Sequence, residues 1–250
     1  MADTDSRLFT PFKTKRAFEE ISDQIRQLIY AGVFKPGDKL PSERELSHQF
    51  RAGRMVVREA LRTLEHSGLI YIKQGSLGGA FIKDADATVV TRSISDMIKI
   101  GSINMEHLTE VRLKIEEAVL EMAIERINVE DLDQLRKNIE EANEKISKGI
   151  RPTNENINFH MILAKASKNP LFEIMVESIM EVMRSFLILM NPGGKYIKRV
   201  SDYHEEIYRA VKERNLKKAQ EKMEEHLLDV NRKLSGLSKN QNNQKRRRKK

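Results

Sequence analysis

The sequence predicts a mainly α protein in two parts: a small helix-turn-helix module closed by a β-hairpin, then an all-α antiparallel helical bundle. Three observations carry this. Between residues 39 and 66 two short helical segments flank a break at Ala52-Gly53. Two short apolar runs then flank the glycine-rich stretch Gln74-Gly75-Ser76-Leu77-Gly78-Gly79, the pattern of a small hairpin. From residue 88 onward helical periodicity returns in successive segments, and no strand pattern does.

Residues 1–15 are polar and without periodicity, so a flexible arm is expected. A first helix over 16–31 places Phe18, Ile21, Ile25, Leu28 and Ile29 on one face, and Gly32 ends it. Pro41 sets the entry to the next helix, 43–50, where Ser42 as N-cap and Glu45 three residues on form a capping box. After the break, Val57, Ala60, Leu61 and Leu64 recur at i, i+3, i+4 and i+7 and give the following helix one apolar stripe. Arg54, Arg58 and Arg62 stand in a row on another face. Such a helix fits the major groove and can present Arg to guanine edges and phosphates. A solvated Arg face on an ordinary helix has the same spacing. Strands at 69–72 and 80–82 complete the hairpin, a wing whose glycine tip lets backbone N–H groups come close to a phosphate.

The module spans 16–84, and 85–103 reads as a linker with a linker helix. Helices are expected at about 88–100, 105–127, 131–148, 153–167, 171–190, 195–214 and 216–234, with breaks such as Gly149, Asn169-Pro170 and Asn191-Pro192-Gly193-Gly194. Those within 104–235 form an all-helical domain, and 236–250 is expected to be a disordered basic tail. The formal net charge of +8 sits almost wholly there, since residues 238–250 hold seven Lys/Arg and no acid. A DNA argument must therefore rest on the Arg row and the wing. With no cysteine, disulfides and thiolate metal sites are excluded. No apolar run approaches membrane-spanning length and no hydrophobic leader opens the chain, so a cytoplasmic protein with no membrane partner is expected.

The bundle holds a second constellation. His160 lies on a stripe with Ile157 and Ala164, His204 with Val200 and Ile207, and His226 with Met223 and Val230. Three imidazoles from three helices could converge on a metal ion through neutral nitrogens, with Asn156, one turn before His160, as a fourth oxygen ligand. They could equally be three separate core histidines, each bonded to its own partner. His48, His66 and His107 lack this pattern and read as surface residues. Arg112 lies at the edge of a buried stripe, where it could fork onto a carboxylate ligand or form a weak surface pair with Glu116 at i+4.

From Gly32-Val33-Phe34-Lys35-Pro36-Gly37-Asp38 through Lys39-Leu40-Pro41-Ser42-Glu43-Arg44-Glu45-Leu46, and on through Val57-Arg58-Glu59-Ala60-Leu61 to Gly68-Leu69, the chain resembles the winged-helix domain of the GntR superfamily of bacterial transcription regulators. Over residues 100–234 it is similar to the ligand-binding (FCD) bundle of the FadR-type branch, through Asn158-Phe159-His160, His204 at a helix opening, and His226-Leu227. The resemblance implies DNA contacts at Arg44, Arg54, Arg58, Gln74 and Gly75. It implies a divalent metal on Asn156, His160, His204 and His226, zinc first, with nickel or manganese as alternatives. It also implies a small carboxylate effector met by Arg112, and a homodimer on a pseudo-palindromic double-stranded DNA operator. The function so implied is a ligand-responsive transcriptional repressor and not an enzyme. Two departures stand out. Asn156 replaces the Asp of many relatives, and Gly53 replaces a capping Ser or Thr, with Ala52 and Arg51 also unlike the apolar residue and Gly usual in that turn. Two other functions compete. A metal-dependent hydrolase or isomerase would use the histidines, though His204-Glu205-Glu206-Ile207-Tyr208 is not the His-Glu-x-x-His pattern. A DNA-binding scaffold would use the bundle for dimerisation alone.

Overall fold

A computed structural model describes residues 16–75, 77–84, 86–190 and 193–247, which divide into two compact units at Val89 and Val90. The expected arm, the wing-tip Ser76, the Asn191-Pro192 break and the last three tail residues lie outside the described residues.

The first unit contains α1 (Ala17–Tyr30), α2 (Glu43–Gln49), α3 (Arg54–His66), β1 (Ile70–Lys73) and β2 (Gly79–Ile82). The capping box of α2 is present: the Glu45 N–H donates to Ser42 Oγ (3.3 Å) and the Ser42 N–H donates to Glu45 Oε2 (2.7 Å). Such a cap stabilises a helix by about 1 kcal/mol relative to Ala. The expected stripe of α3 is the centre of the core, where Val57, Ala60, Leu61 and Leu64 are buried with Ile21 and Ile25 of α1 and Leu46 of α2. Leu28 departs from expectation and is 41% exposed. Ser22 is buried, so the inner face of α1 is centred further round and Leu28 falls at its edge.

The hairpin pairs Ile70 with Ile82 and Tyr71 with Phe81, whose rings stack at 5.4 Å. Gly78 is required at its turn, because a Cβ there would lie 2.3 Å from the Lys73 carbonyl oxygen. A feature the sequence reading lacked is a bridge from Lys39 to Phe81, with the Leu40 N–H donating to the Ala80 oxygen (2.9 Å). The segment before α2 is thereby tied to the wing. In the turn before α3, Arg51 has φ +49°, the left-handed region that a Gly adopts without cost.

The second unit contains most of α4 (Thr88–Lys99), with α5 (Met105–Arg126), α6 (Val129–Ser147), α7 (Thr153–Ala166), α8 (Pro170–Met190), α9 (Gly194–Lys212) and α10 (Leu216–Arg247). Ile94 and Ile98 of α4 pack on its core. Asn104 caps α5 by accepting the His107 N–H (2.9 Å), and Asn128 and Asp131 form a capping box on α6. α10 lies along α5 and α9, and α7 packs on α6 and α8. Val119, Leu120, Phe159, Leu163, Ile207, Val211 and Leu227 fill the centre. The largest difference from expectation is at the end, where α10 continues to Arg247 instead of stopping near Leu234 before a disordered tail. Apolar periodicity fades there, but residues 235–247 contain no proline, and a helix already formed can propagate through them even past Gly236.

Candidate functional site

The first unit presents an exposed basic face. Arg54, Arg58 and Arg62 stand one turn apart along α3, and Arg44 is exposed on α2. Their states differ. Arg58 is tied to Glu43 of α2, donating from Nε to both carboxylate oxygens (3.1 and 3.2 Å) and from Nη2 to Oε2 (2.7 Å). The hydrogen bond from Arg58 holds the Glu43 carboxyl below its ordinary value, with the charges of Arg58, Arg54 and Arg62 adding to it. Arg62 pairs with Glu59 at 3.8 Å. The guanidinium groups of Arg44 and Arg54 form no hydrogen bond or ion pair among the described residues. Gln74 and Gly75 are exposed at the wing, where Gly75 has φ +103°. Gly53 caps α3 without any side-chain bond.

The second unit contains a cavity of about 50 Å³. Arg112 of α5, Asn156 and His160 of α7, Tyr196 and His204 of α9 and His226 of α10 reach it, among apolar residues such as Met180, Met183 and Val230. The three histidines meet here: His226 Nε2 lies 3.3 Å from both His204 Nε2 and His160 Nε2. All three are buried, and one nitrogen from each falls within 4.8 Å of the others. Burial pushes His204 and His226 well below the ordinary imidazole value, and His160 and Arg112 nearby add to the effect. Both rings are therefore neutral at physiological pH and carry a lone pair. Phe159 stacks on His204 at 4.1 Å and 8°, which sets the plane of that ring.

Behind His160 stands a residue the sequence reading treated only as a surface ion-pair partner. Glu116 Oε2 accepts a hydrogen bond from His160 Nδ1, and Glu116 Oε1 accepts from Arg112 Nε (2.9 Å), with Arg112 Nη2 at 2.8 Å. Burial alone pushes the Glu116 carboxyl up, but His160 and Arg112 outweigh it and hold it down at about 2. The Arg112 alternatives are thus not exclusive: the pair with Glu116 exists, it is buried, and Arg112 also lines the cavity. The signal that could have found Glu116 was periodicity. Arg112, Ile115, Glu116, Val119, Leu120 and Ala123 follow i, i+3, i+4, i+7, i+8 and i+11, one buried stripe. Tyr196 and Arg151 at the cavity were also missed. Among the described residues the buried atoms Asn156 Oδ1, Tyr196 OH and His226 Nδ1 have no hydrogen-bond partner. His48, His66 and His107 are exposed.

A winged helix-turn-helix unit with a basic second helix, on one chain with a helical bundle whose largely apolar cavity gathers an arginine and three histidines, defines a ligand-responsive DNA-binding regulator of transcription. The comparisons make this particular. Residues 17–82 match the gntR family of bacterial regulatory proteins, and residues 107–229 match the FCD domain. The HTH-type transcriptional regulator LutR of Bacillus subtilis (strain 168) is 30% identical over 84% of this chain and 97% of its own length. The HTH-type transcriptional repressor NanR of Klebsiella aerogenes is 26% identical over 94% of this chain and 92% of its own. A solved structure titled Streptococcus agalactiae GntR is 27% identical, superimposes with a TM-score of 0.65, and covers 86% of this chain and 99% of that one. The chain belongs to the GntR family, in its FadR-type branch with an FCD domain. Among the described residues no helix is long and apolar enough to cross a membrane.

Proposed function

We propose that this regulator is a homodimeric repressor of a pseudo-palindromic operator, controlled by a small carboxylate bound in the bundle beside a divalent metal ion. The observation that carries the bundle half is the convergence of three buried imidazole nitrogens in one cavity with Arg112. Ring nitrogens turned toward one another suit a metal better than they suit each other, since two nitrogens at 3.3 Å can share only one proton. His160, His204 and His226 would hold the ion, with the unpartnered Asn156 Oδ1 as a fourth, neutral donor. Zinc fits this donor set, with nickel or manganese as alternatives. When bound, the ion supplies positive charge for an anionic group. Asn156 cancels none of that charge, which favours an acidic effector. The buried Tyr196 hydroxyl, without a partner among the described residues, is available to donate to it.

The free guanidinium groups of Arg44 and Arg54 support the DNA half, together with Arg58 once it exchanges Glu43 for a phosphate, and the Gln74-Gly75 wing. Effector binding changes DNA affinity by a coupling free energy of order 1–3 kcal/mol. The test is thermal unfolding against a panel of small carboxylates, on protein stripped by a chelator and then reloaded with Zn2+. One acid should stabilise the loaded protein alone, and His204→Ala should abolish the shift. An acid that stabilises stripped and reloaded protein equally would replace this reading with a metal-free pocket, which the neutral Asn156 allows. No response to Zn2+ or to any acid would remove it.

A further inference from the structure

We propose that Glu116 is the positioning residue of the histidine cluster: its carboxylate selects the tautomer of His160 that leaves Nε2 bare, and the same carboxylate anchors Arg112. The assignment of a metal rests on the reading above; the orientation of His160 does not. Glu116, Arg112 and His160 are 3%, 5% and 4% exposed, so the arrangement is shielded from water. An ionised carboxylate can only accept, so the His160 Nδ1 that faces Oε2 carries a proton. In the neutral form of that ring the lone pair is on Nε2, the atom that lies 3.3 Å from His226 Nε2 inside the cluster. Oε1 takes both contacts from Arg112, whose side chain lines the same cavity. One carboxylate therefore fixes two cavity groups on two helices, α5 and α7.

The chemistry gives this a consequence beyond packing. A histidine that donates its far N–H to a carboxylate becomes a more basic and better-oriented ligand, and loss of such a partner commonly weakens metal binding by about 10–100-fold. The need is greater here because the rest of the donor set, three imidazoles and the Asn156 carboxamide, carries no negative charge. Among the described residues Glu116 is the carboxylate bonded to one of the three rings.

The experiment compares wild type, Glu116→Gln and Glu116→Asp by two readouts. In metal-free protein, 15N NMR of the His160 ring should show the proton on Nδ1 in wild type and a mixed or inverted tautomer in Glu116→Gln, whose amide can donate as well as accept. Zn2+ affinity, by competition with a chromogenic chelator, should fall about 10–100-fold in Glu116→Gln and recover in part in Glu116→Asp. If Glu116→Gln leaves Arg112 buried without a countercharge and fails to fold, the double variant Arg112→Met with Glu116→Gln removes both charges at similar volume and takes its place. A wild-type ring protonated on Nε2, or a Glu116→Gln protein that binds Zn2+ as tightly as wild type, would overturn the proposal. If wild type binds no Zn2+ while the tautomer still switches with Glu116→Gln, the metal reading fails and the role of Glu116 toward His160 stands.

Discussion

Arg54 on α3 and Arg112 on α5 sit in opposite surroundings. The Arg54 side chain is exposed and forms no hydrogen bond or ion pair among the described residues, whereas Arg112 is buried and bonded to a buried carboxylate that also holds a histidine. The same contrast runs through their neighbourhoods, with Arg44 free among the described residues and Arg58 in an exposed pair on one unit, and a buried cluster of imidazoles on the other. An exposed guanidinium is solvated until a phosphate or base replaces the water, so its energy is realised on binding and depends on salt. A buried, mutually bonded set is organised before any ligand arrives, and answers only to what enters the cavity.

The largest expected effect breaks the buried side. Arg112→Ala leaves Glu116 desolvated without its guanidinium and should cost about 3–5 kcal/mol of stability, read by urea unfolding. A loss below about 1 kcal/mol would place the pair among exposed ion pairs and erase the contrast. The counterpart on the exposed side is Arg54→Ala, which should leave unfolding unchanged but weaken operator binding by about 1–3 kcal/mol, read by titration against the operator and a scrambled duplex. Equal losses on both duplexes would make Arg54 a phosphate contact and not a base reader.

Acid should sharpen the contrast further. Burial holds His204 and His226 well below the ordinary value of 6.5, so the unfolded chain takes up protons that the folded bundle refuses. Stability of the metal-free bundle is therefore full above pH 6.5 and is lost progressively as the pH falls toward the folded values. Glu116 adds a second loss at lower pH, between its ordinary 4.5 and about 2. Replacing His204 by Asn should flatten the upper part of the profile followed by circular dichroism; an unaltered profile would show that His204 does not carry it. The smallest effect belongs to Glu43→Gln. It releases Arg58 and removes an acid from the basic face, so operator binding should tighten modestly with little change in melting temperature, whereas weaker binding would show that Glu43 aims Arg58 at the DNA.

The winged unit was the more legible of the two. Ser42 and Glu45 form their capping box within four residues, and Val57, Ala60, Leu61 and Leu64 reach the core by helical periodicity alone. Both signals are local. The Lys39 bridge to Phe81 joins segments far apart in sequence and left no mark in either of them. In the bundle the helix bounds, apart from the end of α10, were legible for the same local reasons, and the three histidines were recognisable as polar rings on apolar stripes. Glu116 was read as a surface residue because an acid on a charged helix is usually solvated.

What the sequence determined by itself is what short-range chemistry decides: which segments are helical, where caps and glycines end them, and which face of each is apolar. Tertiary structure alone decided that His160, His204 and His226 share one cavity, that Arg58 is already paired while Arg54 is free, and that one carboxylate joins His160 to Arg112. Each of these depends on the rotation of one helix against another. Because neighbours in a helix are separated by about 100°, a shift of one residue in packing register would carry any of these groups out of reach.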